Sequence, residues 1–244
     1  MGTDALGRTE RLELADQTLR DWEATVLAAT PDGIVLNRSA FYPGGGGQPA
    51  DQGTLLWQGI ETRIDGVRNG DDLYLIPAEG DPLPAPGTVV RAAVADDRRS
   101  ALMRTHSALH VLCGVVFRDF GALVTGGNME PLVARMDFNL TEVPPGFKEA
   151  VEEACNAEVV ADRRIDVRVL PRAEAFAIPD IIRTATNLVP EHVQEVRIVD
   201  IVGLDCQADG GTHVASTKQI GRIRVAKIEN KGKGFRRVRL EVSD

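Results

Sequence analysis

A change of period near Asp97 constrains this chain more than any other feature. Before it, the sequence is cut into short runs rich in Val, Ile, Leu and Thr: EATVLAA, GIVLNRS, GTLLWQG, TRIDGVRNG, DLYLIPA and TVVRAAVAD. Gly, Asp, Asn and Pro separate them, the pattern of many short strands in a small barrel or sandwich. The stretch GDPLPAPG, Gly80 to Gly87, is a proline-rich turn that no helix crosses. From about Asp97, DRRSALMRTHSALHVLCGVVFRDFG takes helical spacing, with Leu102, Leu109, Leu112 and Val116 close to one apolar stripe. The expectation is an α+β protein: a β domain over residues 1–97, then an α+β domain over residues 98–244.

The second half supports that division. A further helix, GFKEAVEEACNAEVVADR, opens after Pro144 and Pro145 and carries glutamates in its first turns, where a helix N-terminus favours negative charge. PLVARMDFN, RIDVRVLP and EVRIVDIVG read as strands around it. The closing GRIRVAKIENKGKGFRRVRLEV reads as a hairpin turning near Asn230 to Gly234. At 244 residues the chain is long enough for two ordinary cores.

No apolar run approaches the roughly 18 residues of a membrane span. The N-terminal MGTDALGRTERLELAD lacks the apolar core of a signal peptide, so a cytoplasmic protein without a membrane partner is expected. Cys113, Cys155 and Cys206 are odd in number and irregularly spaced, which argues against structural disulfides. The net charge is −8, yet from Lys218 to Arg239 nine Lys or Arg stand against one acid, Glu229. Arg98, Arg99 and Arg104 form a second basic cluster. Such clusters are either a solvated face or a footprint for nucleic-acid phosphates.

The four histidines carry the chemistry. His106 and His110, in RTHSALHVL, stand four apart on the expected helix, which puts both imidazoles on one face and one turn apart. His213 lies in DCQADGGTHV, where glycines permit a tight turn that brings Asp209 and His213 together. Two imidazoles from a helix, with a histidine and a carboxylate from a turn, make a four-point zinc constellation; three ligands plus water is the catalytic alternative. A polar helix face is the bland reading of His106 and His110. His192, outside both motifs, reads as a surface loop residue. The run Gly44, Gly45, Gly46 and Gly47 lacks the Lys and Ser/Thr of a phosphate-binding P-loop, which excludes that kind of nucleotide hydrolysis.

FYPGGGGQPADQGTL, RTHSALHVL and DCQADGGTHVASTKQIG together resemble the free-standing alanyl-tRNA editing proteins, relatives of the editing domain of alanyl-tRNA synthetase. The resemblance covers nearly the whole chain and has its three motifs in the family's order. It implies a small N-terminal β-barrel with a glycine-rich motif, followed by an α+β editing domain of the type shared with threonyl-tRNA synthetase. It implies an aminoacyl-tRNA deacylase that hydrolyses serine, with glycine a further candidate, wrongly esterified to tRNA for alanine. It implies one zinc ion per chain and no stable protein partner.

The family takes its metal ligands from an H-x-x-x-H and a C-x-x-x-H motif. The first falls on His106 and His110; the second falls on Asp209 and His213, so Asp stands where the familiar pattern has Cys. Zinc accepts carboxylate oxygen, which donates less charge than thiolate and leaves the ion the stronger Lewis acid. Cys206, three residues before Asp209, is the alternative ligand. The resemblance further places Thr125 against the serine hydroxyl, Gln48 with its amide toward the substrate or the water, and Gly44, Gly45, Gly46 and Gly47 as a close wall beside the pocket. A hydroxyl-binding group matters because a site built to hydrogen-bond an OH rejects the analogue lacking it by a factor on the order of 10⁴. Arg98, Arg99, Lys218, Lys231, Lys233, Arg236 and Arg237 are the candidates for tRNA phosphate contacts.

Overall fold

A computed structural model describes residues 9–244; residues 1–8, the start of the stretch read against a signal peptide, lie outside the described residues. The chain divides into two compact units. One comprises residues 9–45 of the described chain with Pro49–Ser100, the other Gly46–Gln48 with Ala101–Asp244.

The first unit is built from the short strands read in the sequence. A two-residue strand β1 (Glu10–Arg11) pairs in parallel with β4 (Arg38–Ser39), and one turn of helix, α1 (Leu12–Ala15), follows β1. The strands β2 (Asp21–Thr30), β3 (Gly33–Leu36), β5 (Gly53–Trp57), β6 (Ile60–Asn69), β7 (Leu73–Pro77) and β8 (Val89–Val94) close into a barrel in the order β2-β3-β7-β6-β5-β8. The architecture is therefore a barrel and not a sandwich. In β2, Trp22, Ala24 and Val26 are buried while Asp21 and Glu23 are exposed, the period-two alternation of a strand with one face to a core. Ile34, Leu36, Leu55, Ile64, Leu73, Leu75 and Val90 complete that interior.

Arg99 also belongs to this unit, and its place there is a correction. Its side chain is wholly buried and paired with the equally buried Asp51, and it donates to the carbonyls of Gln17 (2.9 Å) and Ala40 (2.7 Å). A guanidinium out of water is tolerated because a carboxylate and two carbonyls meet it. It is not available to a phosphate.

The second unit is α+β. Helix α2 (Asp96–Phe120) leads into it, contributing residues from Ala101 on. Strands β9 (Val124–Glu130), β10 (Val133–Phe138), β14 (Arg222–Asn230) and β15 (Arg236–Ser243) form an antiparallel sheet in the order β14-β15-β10-β9. Helix α3 (Phe147–Val160) follows β10. A second sheet, β11 (Ile165–Pro171), β12 (Glu195–Ile201) and β13 (Asp205–Ala208), has the short α4 (Arg172–Ala175) after its first strand. One apolar cluster joins these elements, with Leu109, Leu112 and Val116 of α2, Phe147 and Val151 of α3, and Phe138, Val225, Val238 and Leu240 of the larger sheet.

Two features depart from the sequence reading. Every residue of α2 from Thr105 to Val116 is buried, so His106 and His110 are not on a polar face. Strands β9 and β13 were not foreseen: VTGGNME carries two glycines that weaken it as a strand, and it forms as an edge strand because β10 supplies the pairing. Within it Val124 pairs with Phe138 and Gly126 with Asp137, so Thr125 is the extra residue of a bulge. Among the described residues no helix is long and apolar enough to cross a membrane.

Candidate metal centre

The four residues singled out by spacing meet in the second unit. His106 and His110 project from α2 one turn apart, with ring centroids 5.1 Å from each other. The His213 ring lies 4.3 Å from the His106 ring and 4.6 Å from the His110 ring. One donor atom from each histidine and one Asp209 oxygen all fall within 4.8 Å of one another.

The turn after β13 is shaped to bring its two donors in. The Asp209 N–H donates to the Arg197 carbonyl on β12 (3.1 Å), and the Arg197 Nη1 returns a bond to the Asp209 carbonyl (3.0 Å). Asp209 Oδ2 accepts from the Gly211 N–H (2.7 Å), closing a local turn of the kind Asp favours. Gly211 then passes so close to His106 that a Cβ there would stand 2.2 Å from its Cε1 and 2.8 Å from Gln48 Oε1. Only glycine permits that approach.

Each imidazole has a partner behind it. Gln48 Oε1 accepts from the Thr212 N–H (3.0 Å), which fixes the orientation of its amide, and Gln48 Nε2 donates to Thr212 Oγ1 (2.9 Å). His106 Nδ1 lies 2.9 Å from the same Oε1. Because that oxygen only accepts, Nδ1 carries the proton and Nε2 keeps its lone pair, the form a metal ligand needs. His213 Nδ1 lies 3.1 Å from Ser107 Oγ, a hydroxyl able to donate or accept. His110 Nδ1 lies 3.2 Å from Asp205 Oδ2, at ion-pair distance but off the line of a well-directed hydrogen bond.

Burial governs the charge states. It pushes His106 down to about 4 and holds His213 well below its ordinary value, so both imidazoles are neutral near pH 7. Burial also opposes charge on His110, but Asp205 and the charge of Asp209 outweigh it and raise that histidine. For Asp209, burial works against ionisation and is overcome by the surrounding imidazoles, which hold the carboxyl well below its ordinary range. Arg197 Nη1, 3.9 Å from Asp209 Oδ2, adds a buried positive charge.

The donor set fits a divalent ion. Donors on arms of about 2.0–2.1 Å at tetrahedral angles stand roughly 3.3 Å apart. His213 Nε2 stands 3.1 Å from Asp209 Oδ2 and His106 Nε2 3.6 Å from Asp209 Oδ1, on either side of that length, while the four donors together spread over up to 4.8 Å. With neutral imidazoles the two carboxylates, Asp205 and Asp209, balance the two guanidiniums, Arg183 and Arg197, so a bound cation would supply the net charge of the site.

Residues 196–239 match the family model of the threonyl and alanyl tRNA synthetase second additional domain, a span that contains Asp209 and His213. An alanyl-tRNA editing protein AlaX-M of Saccharolobus solfataricus is 39% identical over 94% of this chain and 97% of its own length. The chain belongs to the alanyl-tRNA editing proteins. The relative of the same name from Methanosarcina acetivorans is 35% identical over 97% of this chain and all of its own length. An alanine–tRNA ligase of Pyrobaculum neutrophilum is 35% identical over 92% of this chain, which there corresponds to 26% of the longer enzyme.

The glycine run has a defined backbone shape. Gly44, Gly45, Gly46 and Gly47 all have positive φ (84°, 136°, 59° and 88°), a run that side chains with a Cβ would resist. A Cβ on Gly46 would stand 3.6 Å from Asp209 Oδ1, and one on Gly47 3.3 Å from the Gly127 carbonyl of β9, so Gly46 lies beside Asp209 and Gly47 against the edge of β9. Gln48 spends the carbonyl end of its amide on His106 and Thr212, which revises the expectation that it faces substrate or water. Thr125 is exposed at its bulge, and among the described residues its hydroxyl makes no hydrogen bond.

Cys206 is turned elsewhere. On β13, Asp205 and Gln207 face one side, while Cys206 and Ala208 pack against the small cluster of Ala175, Ile181, Val193, Val196 and Ile198. The thiols of Cys113 and Cys155 are buried, which raises Cys113 well above its ordinary value and Cys155 to about 12, so neither is a nucleophile. His192 is exposed, as read.

The basic stretch is less free than its sequence suggests. Arg237 makes a two-pronged bond to Asp137 (2.7 and 2.8 Å), Arg239 and Lys227 share Glu229, and Arg224 pairs with Glu241. Arg104 clamps the carbonyls of Ile220 and Ser243. Arg236 donates to the carbonyls of Thr141 (3.0 Å) and Phe235 (2.9 Å), and Arg98 lies 3.4 Å from the Ala50 carbonyl. Lys218, Lys231 and Lys233 are exposed. Cross-strand acids distant in sequence, such as Asp137, neutralise cations that a linear count leaves bare.

Sequence reading missed the residues behind the donors. Ser107 and Thr212 lie inside the motifs, so their position was a signal. Asp205 opens the second motif and was passed over for Asp209, while Arg183 and Arg197 lie outside the motifs and carried no signal.

Proposed function

We propose that this chain hydrolyses the ester of serine wrongly attached to tRNA for alanine, with a zinc ion held by His106, His110, Asp209 and His213. The observation that carries the reading is the cluster of three buried histidines and the part-exposed Asp209, with the His106 tautomer fixed for ligation, in a member of the alanyl-tRNA editing family. When bound, the ion supplies Lewis-acid polarisation of a substrate oxygen. Asp209 provides the one anionic donor, and its hydrogen bond from Gly211 keeps the carboxylate directed inward. Gln48 orients His106, and its second Nε2 proton is left to meet a ligand. Gly46 and Gly47 let the backbone stand close beside the acyl group. Thr125 meets the serine hydroxyl, giving preference for serine over alanine. Arg98, Lys218, Lys231, Lys233 and Arg236 contact tRNA phosphates, and Arg237 does so from its pair with Asp137. An aminoacyl ester is already activated, so water is the nucleophile and no covalent acyl-enzyme is needed.

The test is deacylation of seryl- and alanyl-tRNA for alanine, with and without a chelator, together with metal analysis. Release of serine but not alanine, abolished by chelation and restored by zinc, is the expected result. Chelator-resistant release would remove the metal from the reaction. Thr125→Val should lower serine release about fivefold, the worth of one hydrogen bond of about 1 kcal/mol, with folding unaffected.

A further inference from the structure

We infer that Asp205 is a positioning residue of this centre: held by Arg183 and Gln207, it sets the His110 ring with Nδ1 outward and Nε2 toward the other three donors. The inference rests on the metal-centre reading above. The Asp205 side chain is wholly buried, and its Oδ2 lies 3.2 Å from His110 Nδ1. Neither oxygen of that carboxylate is free to wander. Oδ1 accepts from Arg183 Nε (3.2 Å) and Oδ2 from Gln207 Nε2 (2.6 Å). Arg183 is pinned in turn: its Nη1 donates to the Asp180 carbonyl (2.7 Å), and its guanidinium lies 3.9 Å from the centroid of the Phe117 ring on α2.

A carboxylate fixed on both sides presents only lone pairs to His110. The ring answers with the proton on Nδ1, which leaves the Nε2 lone pair for a metal. The contact is not aligned as a directed hydrogen bond, so it orients the ring chiefly by charge.

A separate feature of the helix points the same way. Gly114 stands one turn beyond His110 on α2, where helix propensity disfavours glycine. A Cβ there would fall 2.8 Å from Leu204 Cγ and 3.0 Å from Asp205 Cβ. The missing side chain is the notch through which the start of β13 reaches the helix and brings the carboxylate to His110.

The alternative is that Asp205 only neutralises Arg183. Full-length wild-type, Asp205→Asn and Gln207→Leu chains distinguish the two, titrated with Zn²⁺ against a chromogenic chelator and with Co²⁺ for its visible spectrum. Positioning lowers zinc affinity about 10–100-fold in Asp205→Asn and less in Gln207→Leu, with altered cobalt bands, in chains whose circular dichroism shows them folded. Long-range ¹⁵N–¹H correlation on the zinc-loaded wild type shows His110 bound through Nε2. A folded Asp205→Asn chain with affinity within twofold of wild type and unchanged cobalt bands overturns the inference, as does metal at His110 Nδ1. Should Asp205→Asn fail to fold, unchanged affinity in Gln207→Leu overturns it. A wild-type chain that takes up neither ion overturns the metal-centre reading itself, a different result from a selective loss in the variants.

Discussion

Gly211→Ala should damage the metal centre although Gly211 itself supplies no donor. A Cβ at that position would stand 2.2 Å from His106 Cε1, 2.3 Å from its Nδ1 and 2.8 Å from Gln48 Oε1. Ordinary contact would need a retreat of more than about 1 Å at the ring. The backbone cannot supply it without losing the 2.7 Å bond from Gly211 N–H to Asp209 Oδ2. The ring cannot supply it without parting from Gln48, 2.9 Å away, and swinging Nε2 from its place opposite Asp209. Overpacking of this kind costs about 1–3 kcal/mol of stability. Displacing a partner that orients a ligand lowers metal affinity about 10–100-fold, about 1.4–2.8 kcal/mol. Urea unfolding of the metal-free chain measures the first, and zinc titration against a competing chelator the second. Gly66→Ala, whose Cβ would meet nothing within 4 Å, is the control. A Gly211→Ala chain matching the control in both stability and zinc affinity would refute the argument.

Three further outcomes are expected. Asp209→Ala should lose metal and activity together, whereas Asp209→Cys should retain the ion; equal metal content in Asp209→Ala and wild type, by elemental analysis, would remove Asp209 from the ligand set. Arg99→Met should cost about 3–5 kcal/mol by leaving Asp51 buried and unpaired, while the salt dependence of tRNA binding stays as in wild type; a shallower salt slope would return Arg99 to the nucleic-acid surface. The metal-free protein should lose stability as pH falls below about 6.5, because the unfolded chain then binds a proton at His106 that the folded chain refuses until about 4. That difference is worth about 3 kcal/mol at its full extent, His213 acts in the same direction, and the raised His110 opposes it. Equal denaturation midpoints at pH 7 and pH 5 would contradict the buried neutral state.

The barrel strands and the long helix were legible because local period and turn chemistry agree with the tertiary fold in those segments. The run Thr88 to Asp96 reads as a strand and forms one, and the helical spacing from Asp97 on matches α2. VTGGNME and DCQA were not legible, since neither has strand composition and each forms by pairing with a neighbour already in place. The four donors were legible because each pair is local: one helical turn separates His106 from His110, and one glycine turn separates Asp209 from His213.

The sequence alone therefore determined the His106–His110 pair, His213 with Asp209 or Cys206 as its companion, the β-then-α+β order and the family motifs. Only the tertiary structure chose Asp209 over Cys206, since strand alternation on β13 turns Cys206 into an apolar cluster. Only it buried Arg99 and tied Arg237 to Asp137 across two strands. Only it placed Gln48, Ser107 and Asp205 behind the three imidazoles. The physical reason is common to all of these. Local spacing fixes which side chains share a turn or a helix face, but the proton on a ring nitrogen or the freedom of a cation depends on partners 48 to 106 residues away in sequence, brought there by packing.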